Sequence, residues 1–153
     1  VKVSQIHAGY PIHATKDVTV SVYTDKNLDL KDKNGCTVYE INYGSTNFVL
    51  SSCLGAKGQE LLSQIGSDCD VLKIPSYGSA VKASGKFISS FDPDYAVITS
   101  PPQSKYYIFD RKMSEILRRQ KIKYARTDKN KTITFVTDGT KIKSVSASKG
   151  ELR

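Results

Sequence analysis

An α/β fold of the layered sandwich type, a mixed β-sheet with helices packed on its outside, is what this sequence predicts, on three observations. Between Asp17 and Thr24 apolar residues recur at every second position, the period of a half-buried strand, and two further β-rich runs follow at Cys36–Tyr43 and Thr46–Ser51. From Gly58 the period shifts to that of a helix, and the short apolar runs at Val71–Ile74 and Tyr95–Thr99 then alternate with helical stretches. A Pro-then-Gly break follows the first of those runs, which is where α/β folds place side chains beyond the carboxyl end of a strand.

In chain order, Val1 to His7 alternates as a strand until Gly9 and Pro11 interrupt it and a loop follows. Val18, Val20 and Val22 mark the next strand, and Asp25 to Gly35 is a polar connection with the turn residues Asn27, Asn34 and Gly35. Cys36–Tyr43 and Thr46–Ser51 read as a hairpin around Gly44-Ser45, its second strand buried on both faces through Phe48-Val49-Leu50. Gly58, Leu61, Leu62 and Ile65 share a helix face that Gly66 ends.

Val71, Leu72 and Ile74 form a buried strand. Pro75 stops its ladder, and Gly78 permits a sharp turn towards a helix carrying Ser84, Phe87, Ile88 and Phe91, closed by Asp92-Pro93. Tyr95–Thr99 is a further strand, broken by Ser100-Pro101-Pro102. Asp110 caps a helix whose Met113, Ile116 and Leu117 face the core. Lys123–Asp128 is read as a strand, and Lys131–Thr137 and Thr140–Val145 as a closing hairpin around a two-residue Asp138-Gly139 turn. The stretch 146–153 is polar and expected to fray.

The 153 residues fit one domain over 1–153, and a 39% hydrophobic share with 25% charged residues is that of an ordinary globular chain. No apolar run approaches the roughly 18 residues that span a bilayer. The chain opens at Val1 and its one methionine is Met113, so it is expected to be a piece or processed product of a longer protein. Cys36, Cys53 and Cys69 lack metal-ligand spacing and are expected as small buried thiols, an odd count leaving at least one unpaired in a monomer.

Charge is concentrated rather than spread. Residues 1–104 hold 9 Lys and Arg against 10 Asp and Glu, residues 105–131 hold 10 against 3, and residues 132–153 hold 4 against 2. Lys105, Arg111, Arg118, Arg119, Lys121, Lys123 and Arg126, interleaved with Tyr106, Tyr107 and Tyr124, have the composition of a nucleic-acid surface, cations for phosphate and rings for stacking. The bland alternative is a solvated basic helix face.

Catalytic residues are not assigned. Ser52 beside Cys53 and Ser76 beside Tyr77 have no general base in their sequence context, and neither a Gly-x-Ser-x-Gly elbow nor a phosphate-binding Gly-rich loop occurs. His7 and His13, the two histidines, are read as surface or loop residues because a pair cannot fill a tetrahedral site.

Asp70-Val71-Leu72-Lys73-Ile74-Pro75-Ser76-Tyr77-Gly78-Ser79 resembles the strand and loop D-V-L-K-V-P-H-H-G-S of metallo-β-lactamase-fold hydrolases of the ComEC type, the DNA-uptake proteins and their soluble relatives. Phe48 to Cys53 falls on the apolar strand and Gly-Asp of that family, and Lys123 to Asp128 is similar to its late V-Y-R-T-D strand. The resemblance runs from about Asn34 to about Gly139 and implies the second half of a metallo-β-lactamase-like sandwich.

Where the family places two histidines this chain has Ser76 and Tyr77, and Cys53 stands at the place of a metal-bridging aspartate. A thiolate binds zinc, but hydroxyls are poor substitutes for imidazole, so the set is read as degenerate, with no metal and no hydrolysis. The Gly-His-Pro segment of the late loop and the His-x-His-x-Asp-His cluster of the first half are absent from these residues. The resemblance therefore implies a degenerate domain of a competence-related protein, a binding or scaffold module with DNA as its partner at the 105–131 block. The alternative is half of a metal-dependent phosphodiesterase or nuclease, using zinc or manganese, whose other ligands lie in an absent N-terminal region. The missing half or a second copy is the further expected partner, and the extracytoplasmic side or surface of a bacterium the expected location.

Overall fold

A computed structural model describes residues 12–13, 16–23, 37–66, 68–79, 84–102 and 109–153. The expected strand at Val1–His7, the connection from Asp25 to Gly35, and Lys105, Tyr106 and Tyr107 lie outside the described residues.

Strands β1 Ile12–His13, β2 Val18–Tyr23, β3 Val38–Tyr43 and β4 Thr46–Ser51 are antiparallel neighbours. Helix α1 Ala56–Ile65 leads to β5 Val71–Lys73, α2 Gly85–Ser89 to β6 Tyr95–Ile98, and α3 Arg111–Arg119 to β7 Lys123–Arg126. From β4 to β7 all pairs are parallel, so the seven strands lie in chain order in one mixed sheet. A short helix α4 Thr127–Asn130 then precedes the separate hairpin of β8 Ile133–Thr137 and β9 Ile142–Ala147.

Each parallel step moves one strand along in the same direction and carries one helix, and crossovers of one hand, the rule for such units, put all three helices on the same face. The register agrees with this. The row Val49, Leu72, Ala96 and Tyr124 enters one hydrophobic cluster with Leu62, Phe87, Ile88, Met113 and Leu117, of which Leu72, Phe87, Ile88, Met113 and Leu117 are fully buried. The neighbouring row, Phe48, Val71, Tyr95 and Lys123, faces the hairpin, and Phe135 makes edge-on ring contacts with Phe48 at 6.2 Å and Tyr95 at 5.6 Å. Phe48 and Leu50 are thus half-buried, not sunk on both faces as their apolar run suggests.

Local chemistry sets the ends of the helices. Ser84 accepts from Phe87 N at 3.1 Å to start α2, and Asp110 accepts from Lys112 N at 2.9 Å to start α3, the cap its sequence position predicts. Gln59, a polar residue of α1 only 3% exposed, bonds the Leu54 carbonyl and the Ser84 amide, both at 2.9 Å, and so ties α1 to the start of α2.

Several boundaries differ from the sequence reading. Ile12 and His13, expected in a loop, pair with Val20 and Thr19. The strand expected to run to Asp128 ends at Arg126, because Thr127–Asn130 turns into α4 and Asn130 Oδ1 takes the Arg126 amide. The last hairpin has a four-residue loop at 138–141, where Asp138 Oδ1 accepts from the amides of Thr140 and Lys141. The stretch 146–153, expected to fray, is tied down. Ser146 and Ala147 belong to β9, Asn130 Nδ2 donates to the Lys149 and Glu151 carbonyls, and Arg153 exchanges two 2.9 Å backbone bonds with Tyr124. Those bonds cover the outer edge of β7 and remove an open strand edge. Among the described residues no helix is long and apolar enough to cross a membrane.

Candidate functional site

Because β4 to β7 run parallel, their carboxyl ends open on one side of the sheet. The residues emerging there are Ser52 and Cys53 after β4, the elbow Pro75–Ser79 after β5, Ser100 after β6 and Thr127 after β7. In open α/β sheets this is the end at which ligands bind.

The elbow is conformationally unusual. Ser76, Tyr77 and Gly78 have φ of 52°, 59° and 75°, three successive left-handed residues. For the two that are not glycine this costs about 1–2 kcal/mol each. Three backbone bonds hold the turn: Ser76 N to Ser52 O at 3.0 Å, Gly78 N to Pro75 O at 3.1 Å and Ser79 N to Ser76 O at 3.1 Å. Gly78 itself is wedged against its neighbours, since a Cβ there would stand 2.8 Å from Ile98 Cγ2 and 3.2 Å from Phe109 Cδ2. The result is a Tyr77 ring 41% exposed at the mouth of the sheet.

Pro75 shapes the strand beneath. Ile74 donates to Val97 O at 2.9 Å, so the next donor directed at β4 belongs to position 75, where proline has none. Lys73 supplies the donor instead, its Nζ reaching Ser51 O at 2.7 Å, while the Ser51 hydroxyl bonds the Lys73 carbonyl. Burial of this amine holds its pKa below the ordinary lysine value.

Cys53 is disulfide-bonded, not a buried thiol. A sulfur committed to an S–S bond has no thiolate to offer a metal, and Ser76 and Tyr77 offer hydroxyls on a turn of fixed left-handed shape. Among the described residues no three His, Cys, Asp or Glu side chains are grouped to hold a metal ion. The positions that the resemblance assigns to metal ligands therefore do not fit a metal. Cys69 matches the expected buried free thiol and lies before β5, at the other end of the sheet. Burial, with the Asp70 carboxylate beside it and Glu40, Asp68 and Asp94 contributing, pushes it up to about 12.

The basic residues separate into two groups. Arg126 is committed: its guanidinium makes a forked pair with Asp128 at 3.0 and 2.6 Å and lies 3.7 Å from the Phe109 ring centroid, with 15% of the side chain exposed. Tyr124 is buried and cannot stack on a ligand. Arg111, Lys112, Arg118, Arg119 and Lys121, by contrast, are exposed along α3 and the turn after it, Arg119 meeting Glu115 only at 4.0 Å. Lys123 lies on the opposite face of the sheet, over the Tyr95 ring at 5.6 Å. It lines an open cavity of about 470 Å³ with Tyr95, β9 and residues 150–152, away from the carboxyl ends.

Sequence reasoning missed Lys73, Asp128 and Phe109. Lys73 was signalled by its place two residues before Pro75; Phe109 carried no signal, because only the fold brings it to Gly78 and Arg126.

No family model matches the chain. It is similar to the ComE operon protein 3 of Bacillus subtilis (strain 168), with 27% identity over 123 residues, a match that covers 78% of this chain and 16% of that protein. The chain thus spans only a small part of the curated relative it matches.

Proposed function

We propose that this chain is a catalytically degenerate, metallo-β-lactamase-like domain of a ComEC-type competence protein, acting as a binding module for DNA. Similarity to ComE operon protein 3 supports the competence and DNA-uptake connection. One observation carries the degenerate reading: Cys53, at the place of the metal-bridging aspartate, spends its sulfur on a disulfide. That bond also favours the extracytoplasmic location, because disulfides persist in oxidising compartments.

The DNA-binding face is α3 with its following turn, where Arg111, Lys112, Arg118, Arg119 and Lys121 are exposed and Glu115 is the lone acid within the helix. Binding of this kind is driven by counterion release, so affinity falls steeply with salt. The test is fluorescence anisotropy with single- and double-stranded oligonucleotides at several salt concentrations, for the native protein and for the Arg118→Glu/Arg119→Glu variant. The expected result is a log–log salt slope of roughly −0.7 to −0.9 per phosphate contact, made shallower in the variant. Equal affinities for the two proteins would overturn the proposed face.

Metal analysis tests the degenerate reading separately. Protein prepared without chelator and titrated with zinc or manganese is expected to hold no stoichiometric ion. A full equivalent of either would favour the hydrolase half.

A further inference from the structure

Strands β8 and β9 form a two-stranded sheet of their own, so among the described residues β9 has one edge outside any ladder. The groups on that edge follow from the register. Ser148 N donates to Thr132 O at 2.9 Å, which makes 132 and 148 a hydrogen-bonded pair. Such pairs alternate along an antiparallel ladder, so Thr134 with Ser146 and Val136 with Ser144 are bonded, while Ile133 with Ala147 and Phe135 with Val145 are not. Val145 and Ala147 therefore direct their amides and carbonyls outward, roughly 7 Å apart along the strand. Among the described residues no other backbone group takes them.

Beside this edge lies a cavity of matching length. It follows β9 from Ile142 to Ala147, with Tyr95 and Lys123 of the sheet as its floor and residues 150–152 as its far wall, and it is open with a volume of about 470 Å³. An extended segment laid in it continues the β9 ladder and turns every second side chain to the floor. There it meets the Tyr95 ring and the Lys123 ammonium, 5.6 Å from the ring centroid. Lys143 is committed to Asp138 at 2.5 Å, whereas Lys123 makes no ion pair among the described residues, Glu151 on the far wall being out of reach. The edge is also unguarded: Ser144-Val145-Ser146-Ala147 carries neither the charge nor the proline that keeps an open edge from pairing.

We propose that the outer edge of β9 is a strand-addition site for an extended polypeptide segment with an acidic side chain, its main chain bonding Val145 and Ala147 and its carboxylate meeting Lys123. Charge favours this occupant over a second copy of the chain. β9 holds Lys143 and no acid, so a copy adding its own β9 would bring no carboxylate to Lys123. The site is on the face of the sheet away from α3, and the inference does not depend on DNA binding.

Amide NMR spectra of the whole chain, titrated with a designed peptide, test it. The probe is acetyl-Thr-Val-Thr-Asp-Thr-Val-Thr-amide, whose valines and aspartate share one face when extended. Saturable shifts are expected at the Val145 and Ala147 amides, with those of Met113 and Leu117 unmoved. Binding should weaken about tenfold when lysine replaces the aspartate of the peptide, and by a similar factor in the Lys123→Gln variant with the original peptide, the loss of one charge-assisted contact. N-methylation of the two valines, which removes main-chain donors, should abolish it. Absence of shifts at Val145 and Ala147, or equal affinities for the aspartate and lysine peptides, would overturn the proposal. So would slow hydrogen exchange of those two amides in the peptide-free protein, which would mean that the edge is already taken, and so would shifts at β9 that track protein concentration without peptide, which would assign the edge to a second copy.

Discussion

Lys73 and Ser51 hold each other twice across the β4–β5 junction, the ammonium donating to the Ser51 carbonyl at 2.7 Å and the Ser51 hydroxyl donating to the Lys73 carbonyl. The first bond replaces the donor that Pro75 lacks. A lysine of this kind is a structural donor set into an apolar sheet face, and its lowered pKa reports the burial that the role demands.

Lys73→Met keeps the apolar stem and removes the donor. The Ser51 carbonyl is left without its partner, at a cost of about 1–3 kcal/mol by urea unfolding. The sign of the pH effect follows from the direction of the shift. Between the lowered folded value and 10.5 the unfolded chain binds more protons at this site, so Lys73 makes stability rise with pH through that window. The native-minus-variant stability difference should therefore grow as pH rises towards 10.5, and a difference that stays flat would contradict the role.

Cys69 acts in the opposite sense at alkaline pH. Its folded value is raised from 9.0 to about 12, so the stability it contributes is complete below pH 9 and is lost as pH rises towards 12. The loss amounts to roughly 1.4 kcal/mol per pH unit at most. Cys69→Ala should flatten the decline between pH 9 and 11, measured by denaturant midpoints; an unchanged slope would show that other groups dominate.

Gly44→Ala probes the docking of two turns. Gly44 has a φ of +58°, and a Cβ there would stand 2.2 Å from Gly139 O, the atom that accepts the Ser45 amide at 2.6 Å. Backbone on backbone cannot yield, so the turns must separate. Destabilisation of about 1–3 kcal/mol is expected, which at this size lowers Tm by several degrees in calorimetry.

Asp128→Asn leaves the Arg126 guanidinium, 15% exposed, without its counter-charge. The expected loss is roughly 2–4 kcal/mol, whereas Arg126→Met/Asp128→Leu, which removes both charges, should recover most of it. Comparable losses in the single and double variants would argue that the forked geometry, not charge compensation, is what the fold requires.

The strands and helices with clear periodicity were legible in the chain. Val18–Tyr23, the Gly44-Ser45 hairpin, the Asp110 cap and the Met113/Leu117 face all follow from alternation, helical spacing or a capping residue. The carboxyl-end elbow was legible too, through Pro75 and Gly78. What went astray lay at ends and partners. The strand expected to reach Asp128 stops at Arg126 because Asn130, four residues on, captures its amide, and the stretch after Ser146 is ordered by Tyr124 and Asn130, far earlier in the chain.

By itself, then, the sequence determined an α/β chain with a broken strand at Pro75, a basic block after residue 104, and hydroxyl and thiol residues at the places where the resembled family has metal ligands. Periodicity, turn chemistry and charge are local properties, and they survive being read one residue at a time. Only the tertiary structure decided which of those residues are available. It spent Cys53 on a disulfide, Arg126 on Asp128 and Phe109, Tyr124 on the core, and Lys73 on the Ser51 carbonyl, and it left the α3 cations exposed. Availability depends on register, crossover hand and which loops meet at a sheet end, and those are fixed by contacts between residues distant in sequence.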